Sequence, residues 1–573
     1  MAMSNQEAFA IGMQDCRYQQ AVLCDPQLEP DTKPIRSPKR AALSPPQKEW
    51  LHQRVRTLLE NGIAVQVPKS EVSWVLEVKI VPKDKKFDSS ANIDHLRAQT
   101  SNALVDAGLE QGEKQPVPEL PWQPAKPEQW RLVHNYAPLN TTMKDAPFPP
   151  GDIDVKTSKL ARKKYKSRMD GLAGFMTLLQ TQQGVWYSVF EVEDFGYIGY
   201  RFMPFGYKIG YRFMPFGYKI GPSSYQRYAT EVFGDMLDMC WDFWMDDIGG
   251  GHDSYSDHFL WLQRIFERAA DSGFTLSIPK CQFFAEEISF CGQNISKEGI
   301  TVDPGRVAAI VEWPRPTTVH KVIKFKATCA YMRNKMPHFA TIAAPLDSLT
   351  CGVKVPAHNT RTSQQANGKW SMVPKFGAVR RARQHAKLDW EPRHEEAFLR
   401  LKAALTNAHI LWGPRYAGTP FVVECDWSNE AMGAALLQQE EKTDKDKVRV
   451  FPNAYASKRC TDSEARYSPN VGELAAAKWA LAKFAKFTFG QPIELVTDCK
   501  ALRDILMLAT LPVAHARWQE DILRHDIVKV TQRVGTSHAL AHGLSHRPEN
   551  SNSDRSPSGK WGSFLKASNL LIG

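Results

Sequence analysis

The stretch CWDFWMDDIGGG, residues 240–251, places two adjacent acids between an apolar aromatic run and three glycines. An apolar run that halts at a short polar tip reads as a β-hairpin, which would carry Asp246 and Asp247 beside its turn. Side chains alternate across a strand, so the two carboxylates need not share a face, and Asp246 is weighted above Asp247 as a ligand. The plain alternative is an ordinary turn, since acids before glycine are common turn chemistry. A third acid, Asp170 in KSRMDGLAGF, ends a short basic segment and by itself also reads as a turn residue. Carboxylates on rigid elements would suit divalent cations, because magnesium prefers oxygen ligands. Two such ions are what nucleotidyl transfer needs.

Working outward, the chain is 573 residues long, more than one core can usually fill, so several domains are expected. Its composition, 43% apolar and 24% charged, is that of a globular protein, and no apolar run approaches the ~20 residues of a membrane span. Residues 1–20 lack the basic start and apolar core of a secretory signal. The ten cysteines include no CxxC pair, so neither a zinc knuckle nor a disulfide framework is expected. A reducing compartment follows: the cytoplasm, with virus-like particles and the nucleus as further places. The net charge of +11 and pI near 9.0 favour polyanionic partners.

Residues 1–40 are polar and aperiodic and read as a disordered leader. Ser44-Pro45 opens a helix with Trp50, Leu51, Val55, Leu58 and Leu59 at helical spacing, and Gly62 is its expected stop. Residues 74–82 alternate as a strand. Residues 84–128 read as a loop inserted between two strands, the second beginning at Trp130. IGYRFMPFGYK at 198–208 then recurs unchanged at 209–219, too short and too few for a solenoid. Residues 351–387 hold eight Lys or Arg and no acid and read as a solvated basic linker, bounded at 388. A second α/β unit follows: helices at 393–408 and 471–486, and strands near 420–426, 431–438, 450–456 and 493–497. Residues 549–573 read as a polar tail.

Six segments occur in one order: WRLVHNYAPLN (130–140), MDGLAGF (169–175), FMPFGYKIGPSSYQR (213–227), FWMDDI (243–248), LSIPKCQFF (276–284) and ISFCGQNISKEGITVDPGRVAAIVEWPRP (288–316). Together they resemble the successive motifs of gypsy-type retrotransposon reverse transcriptases, and MPHFATIAAPLDSLT (336–350) resembles the end of that polymerase. The resemblance spans 41–350 and implies a right hand of fingers, palm and thumb. It implies Asp170, Asp246 and Asp247 as a metal-binding triad for two Mg²⁺ ions, with Mn²⁺ an alternative. Arg131 matches the finger arginine on the incoming triphosphate, a task suited to a forked, permanently charged guanidinium. Phe175 matches the aromatic gate against a ribose 2′-hydroxyl, and Phe216 joins the substrate-binding set. Lys280 matches a lysine near the leaving group, with a surface lysine as the alternative. Phe290-Cys291-Gly292 fits the primer-gripping hairpin. Asn135 and Ala137 stand where the family has Asp and Arg, which removes an ion pair.

FVVECDWSNEAMGAALLQ (421–438), YSPNVGELAAAKWALAKF (467–484) and IELVTDCKAL (493–502) resemble the RNase H domain of the same elements over 389–548. They imply an α/β layer over a mixed sheet, with Asp426, Glu473 and Asp498 as metal-binding acids, again for two Mg²⁺. The fourth acid of that family falls at His542, a poor magnesium ligand, so impaired cleavage is expected. The overall fold class is therefore α/β (α+β). The implied partners are an RNA template, a DNA primer, an RNA–DNA hybrid and dNTPs, and no membrane. No protease motif precedes and no integrase follows, so the resemblance is to part of a polyprotein. From Asp170 to Asp246 is 76 positions, longer than the family interval by about one repeat unit. Met203 keeps the family distance from Asp170, and Met214 keeps it from Asp246. Three readings stay open: a working polymerase with weak RNase H, a nucleic-acid-binding relic, and a non-functional translation of a degenerate element.

Overall fold

The computed structural model describes residues 6–10, 19–24, 26–30, 32–34, 43–60, 64–82, 92–118, 130–144, 148, 151–171, 178–200, 221–237, 240–350, 360–364, 370–374, 378–407, 410–416, 418–439, 450–497 and 513–532. The expected helix stop at Gly62, Phe175, the repeat beyond Tyr200 with Phe216, Asp498, His542 and the tail lie outside these residues. The chain divides into two compact units, Met1–Lys86 with Gln123–Lys297, and Phe87–Trp122 with Glu298–Gly573.

In the first unit, four antiparallel strands run in the order Trp241–Trp244, Asp247–His252, Tyr165–Asp170, Gln282–Ala285. One face of this sheet is dry. Trp241, Phe243, Ile248 and Met169 bury there beneath helices Gly221–Phe233 and Tyr255–Ser272, which contribute Tyr225, Tyr228, Phe233, Leu262, Ile265 and Phe266. The second helix starts where the Ser254 hydroxyl accepts from the Asp257 N–H and ends at Gly273, whose φ of 72° suits a residue without Cβ. Beside this layer, helix Pro45–Glu60 buries Leu51, Val55 and Leu58 against strands Ala64–Gln66, Phe190–Val192 and Gly196–Tyr200. The strand expected over 74–82 is regular only at Val78–Pro82, where it pairs with Trp130–His134.

The leader is not disordered throughout. Ala8 is fully buried, Phe9 meets Phe266 edge-on at 4.9 Å, and Phe9–Ala10 add in parallel to Leu276–Ser277. Gln19–Cys24 pair in parallel with Leu178–Gln180. Strand addition uses backbone groups, so a polar composition did not disclose it.

Two histidines in this unit are held neutral. Burial drives His134 down to about 3, among Tyr136, Phe190 and Tyr200. Burial, then the neighbouring His252, drives His258 down to about 4, where its Nε2 meets the Ser167 hydroxyl at 2.7 Å. Both folded values lie below the unfolded value near 6.5, so this stability is whole above that pH and is lost as pH falls below it. For His134 the loss reaches about 2 kcal/mol by pH 5. The urea midpoint should fall between pH 7 and pH 5, and His134→Phe should shrink that difference. An undiminished difference in the variant would remove His134 as its source.

In the second unit a mixed five-stranded sheet runs Val450–Arg459, Ala431–Gln439, Phe421–Trp427, Ile493–Thr497, Ile527–Gln532; neighbours among the first three are antiparallel and the last two join in parallel. The last strand and helix Val513–Leu523 were not anticipated. Helix Pro469–Thr488 packs on the sheet, closely enough that a Cβ on Gly472 would lie 2.2 Å from the Trp427 ring.

Two expectations about this unit need correction. The supposed loop at 84–128 contains helix Ile93–Asp106, capped by Asn92, with Leu96 and Leu104 buried and Thr100 bonded to Thr406 at 3.1 Å. The supposed solvated linker contains the hairpin Thr360–Gln364/Trp370–Pro374 and helix Ala378–His385. Helix Pro392–Thr406, expected over 393–408, buries Phe398, Leu401 and Leu405 with residues of 302–346 and with Leu96. Both misses have one cause: short apolar spacings within polar or basic composition.

Candidate active sites

The hairpin Trp241–Trp244/Asp247–His252 closes through a two-residue turn, Met245-Asp246. Two-residue hairpin turns need positive φ, and Met245 adopts 57°, costing about 1–2 kcal/mol for a residue with a side chain. The glycines are not turn residues, contrary to the turn reading. They lie within the strand, where a Cβ on Gly250 would sit 2.1 Å from the Trp241 ring and one on Gly249 would sit 3.0 Å from Leu160 and Phe290. They are glycines because neighbours fill their places.

The register sets Asp247 directly opposite Asp170 and Gly249 opposite Arg168. The Gly171 N–H donates to the Asp246 carbonyl at 2.8 Å, tying the turn to the end of the neighbouring strand. All three acids thus meet at one end of the sheet. Asp170 is buried, and Lys280 Nζ lies 2.5 Å from its Oδ1. Asp247 accepts from Arg168 Nη2 at 2.7 Å and Nε at 3.2 Å. Asp246 carries no ion pair among the described residues. Desolvation by surrounding protein, then repulsion from Asp170 and Asp247, raises its carboxyl to about 6, although the side chain keeps solvent contact at the tip. The repulsion is the more telling cause at so open a position.

Lys280 thus reaches an acid of the cluster from a half-exposed position. Arg131 lies on a separate strand pair, opposite Val81. Asn135 donates to Glu77 at 3.0 Å where an ion pair was expected to be lost. Cys291 and Gly292, with φ of 52° and 70°, turn the hairpin Ile288–Phe290/Gln293–Ile295, and buried Phe290 packs over Gly249. Sequence reasoning missed Arg168 and the buried Asp242, which pairs with Lys156 at 2.7 Å and Lys159 at 3.3 Å. A basic residue two before Asp170, on the same strand face, was the available signal.

In the second unit Asp426 ends a central strand and is buried. Glu473 accepts from the Trp427 N–H at 3.0 Å and from the Thr497 hydroxyl at 3.4 Å. Helix, strand end and neighbouring strand end thus converge, Thr497 being the residue before Asp498.

A part of each unit matches a known domain. Residues 123–295 match the family "Reverse transcriptase (RNA-dependent DNA polymerase)", and residues 390–495 match "RNase H-like domain found in reverse transcriptase". The chain carries a reverse transcriptase domain followed by an RNase H-like domain, as in retrotransposon Pol polyproteins. Among curated relatives, the Retrovirus-related Pol polyprotein from transposon opus of Drosophila melanogaster is 25% identical over 75% of this chain and 39% of its own length. The corresponding polyprotein from transposon gypsy of the same fly is 24% identical over 73% of this chain and 36% of its own length. The chain thus spans under two fifths of these relatives. In fold, it is similar to the foamy viral protease-reverse transcriptase solved with an RNA/DNA hybrid, with a TM-score of 0.65 and 17% identity over 98% of this chain and 62% of that one.

Enzymes of these two families generally use divalent metals. Among the described residues no group of three or more His, Cys, Asp or Glu stands in a metal-holding arrangement. The donors of the reverse transcriptase domain nevertheless fit a hard cation. They are oxygen ligands; desolvation, then repulsion from Asp170 and Asp247, raises Asp246, and such crowding of carboxylates is relieved by divalent charge. Among the described residues no helix is long and apolar enough to cross a membrane.

Proposed function

We propose that the chain is an RNA-directed DNA polymerase of a retrotransposon, acting on an RNA template, a DNA primer and dNTPs, with an appended RNase H of impaired activity toward the hybrid. The meeting of Asp170, Asp246 and Asp247 at one sheet end, with Asp246 raised by its neighbours, carries this reading. Asp170 and Asp246 would hold Mg²⁺, or Mn²⁺, with Asp247 beside them. A bound divalent ion would supply Lewis acidity toward the primer hydroxyl and the departing pyrophosphate. Lys280 would orient charge toward the triphosphate, Arg131 would grip it, and Phe175 and Phe216 would shape the nucleotide pocket. In the second domain Asp426, Glu473 and Asp498 would hold a second metal pair. The cytoplasm, including virus-like particles, is the proposed location, with access to the nucleus.

The test is extension of a DNA primer on an RNA template by the purified chain with Mg²⁺. Extension supports the reading. A chain that binds primer–template without extending it supports the relic instead, for which the exact 11-residue repeat is the specific motive. Hybrid cleavage in Mg²⁺ should be feeble, because His542 brings no negative charge where a fourth acid is needed. His542→Asp should raise cleavage at least about tenfold. Brisk cleavage by the unaltered chain would mean that another acid completes the site.

A further inference from the structure

Arg168 lies two residues before Asp170 on the same strand, so both project from one face of the sheet. Directly opposite Arg168 is Gly249, whose missing side chain leaves that place to Leu160 and Phe290. The guanidinium passes this apolar cover and reaches diagonally along the strands to Asp247. It sets both Nη2 and Nε on a single oxygen, Oδ1, at 2.7 and 3.2 Å. The two side chains are 25% and 22% exposed, so the pair is partly removed from water and holds better than a surface pair. Lys280 makes the contrast. It touches Asp170 through one ammonium on a side chain that is 47% exposed, a contact readily exchanged. The three acids are therefore unequal: one is clamped by a fork, one is touched by a mobile point charge, and one carries no ion pair among the described residues.

We propose that Arg168 is a positioning residue of the polymerase site, which takes Asp247 as its own counter-ion, fixes the hairpin tip, and leaves Asp170 and Asp246 as the pair that faces the metal. This rests on the polymerase reading. It makes Asp247 an anchor and gives the pair no net charge at the site.

The experiment titrates Mn²⁺ calorimetrically into the full chain without nucleic acid, in an Asp426→Asn background that weakens the second site. Asp246→Asn should weaken binding at least tenfold. Arg168→Met alone removes a positive charge and frees Asp247, so binding should tighten several-fold while primer extension slows. A merely structural defect would not tighten metal binding. Arg168→Met with Asp247→Asn removes a neutral pair, and binding should return to within about threefold of the parent. If that double variant binds as weakly as Asp246→Asn, Asp247 is a ligand and the proposal is overturned. Equal titration of Asp246→Asn and the parent overturns it too. Should the double variant fail to fold, Arg168→Lys decides: it keeps the charge but not the fork, so metal affinity should hold while kcat falls, and an unchanged kcat overturns the proposal. Absence of extension by the parent would sink the polymerase reading separately, since the titrations do not depend on it.

Discussion

Asp246→Asn should abolish primer extension, with a loss of about 10³-fold or more, equivalent to some 4 kcal/mol of transition-state stabilisation. The amide keeps the size of the side chain and its place in the turn, so the fold has little reason to change. What disappears is one of three neighbouring carboxylates, the one that desolvation first, then repulsion from Asp170 and Asp247, raises to about 6. Asp246, at the solvent-exposed tip, is the acid an incoming ion and triphosphate would meet first. Asp242→Asn in the same hairpin is the natural comparison. It is buried and paired with Lys156 and Lys159, so its loss should lower the melting temperature more than Asp246→Asn does. Undiminished synthesis by Asp246→Asn would remove that residue from the site.

The hairpin that carries Asp246 and Asp247, the strand of Asp426 and the helix of Glu473 were legible because each has a strong local pattern. WDFW alternates into its core, and FVVECDW and IELVT are apolar enough to announce central strands. Their roles came from motif order, not from spacing. Partnerships across the sheet could not be read. Nothing in DDIGGG says that its glycines receive Trp241, Leu160 and Phe290, or that Arg168 would claim Asp247 while Lys280 took Asp170. Those outcomes depend on register, which a sequence states only through turn length, and this turn places a methionine at positive φ where Gly or Asn would have been the signal. Backbone-driven additions were invisible for a related reason. Phe9–Ala10 join Leu276–Ser277 through main-chain pairing, and helix Ile93–Asp106 buries only Leu96, Ala98, Thr100 and Leu104 within a polar segment.

Deletion of residues 209–219 should raise the melting temperature by several degrees and increase polymerase activity with it. The described flanks show what the deletion leaves alone. Ile198, Gly199 and Tyr200, from the first copy, form the end of strand Gly196–Tyr200; Ile198 and Tyr200 are buried, paired with Gln66 and Ala64. Helix Gly221–Phe233 begins just after the second copy and lends Tyr225 and Tyr228 to the core beneath the acids. Because the copies are identical, removing the second joins Lys208 to Ile220 and reproduces the sequence that already precedes the helix. Both anchors therefore survive. Absorbing the insert by lengthening the strand would reverse the face of every later side chain, since eleven is odd. One copy should instead be carried outside the sheet, with Phe202, Met203 and Phe205 or their twins Phe213, Met214 and Phe216 left without burial. Each such side chain forfeits roughly 1.5–3 kcal/mol, a large share of the 5–15 kcal/mol by which domains are usually stable. For domains of this size each kcal/mol recovered is worth about 2–4 °C. A deletion variant that melts no higher and polymerises no faster would mean that the second copy has found its own packing, and that the 76-residue interval between Asp170 and Asp246 is a working feature of this polymerase.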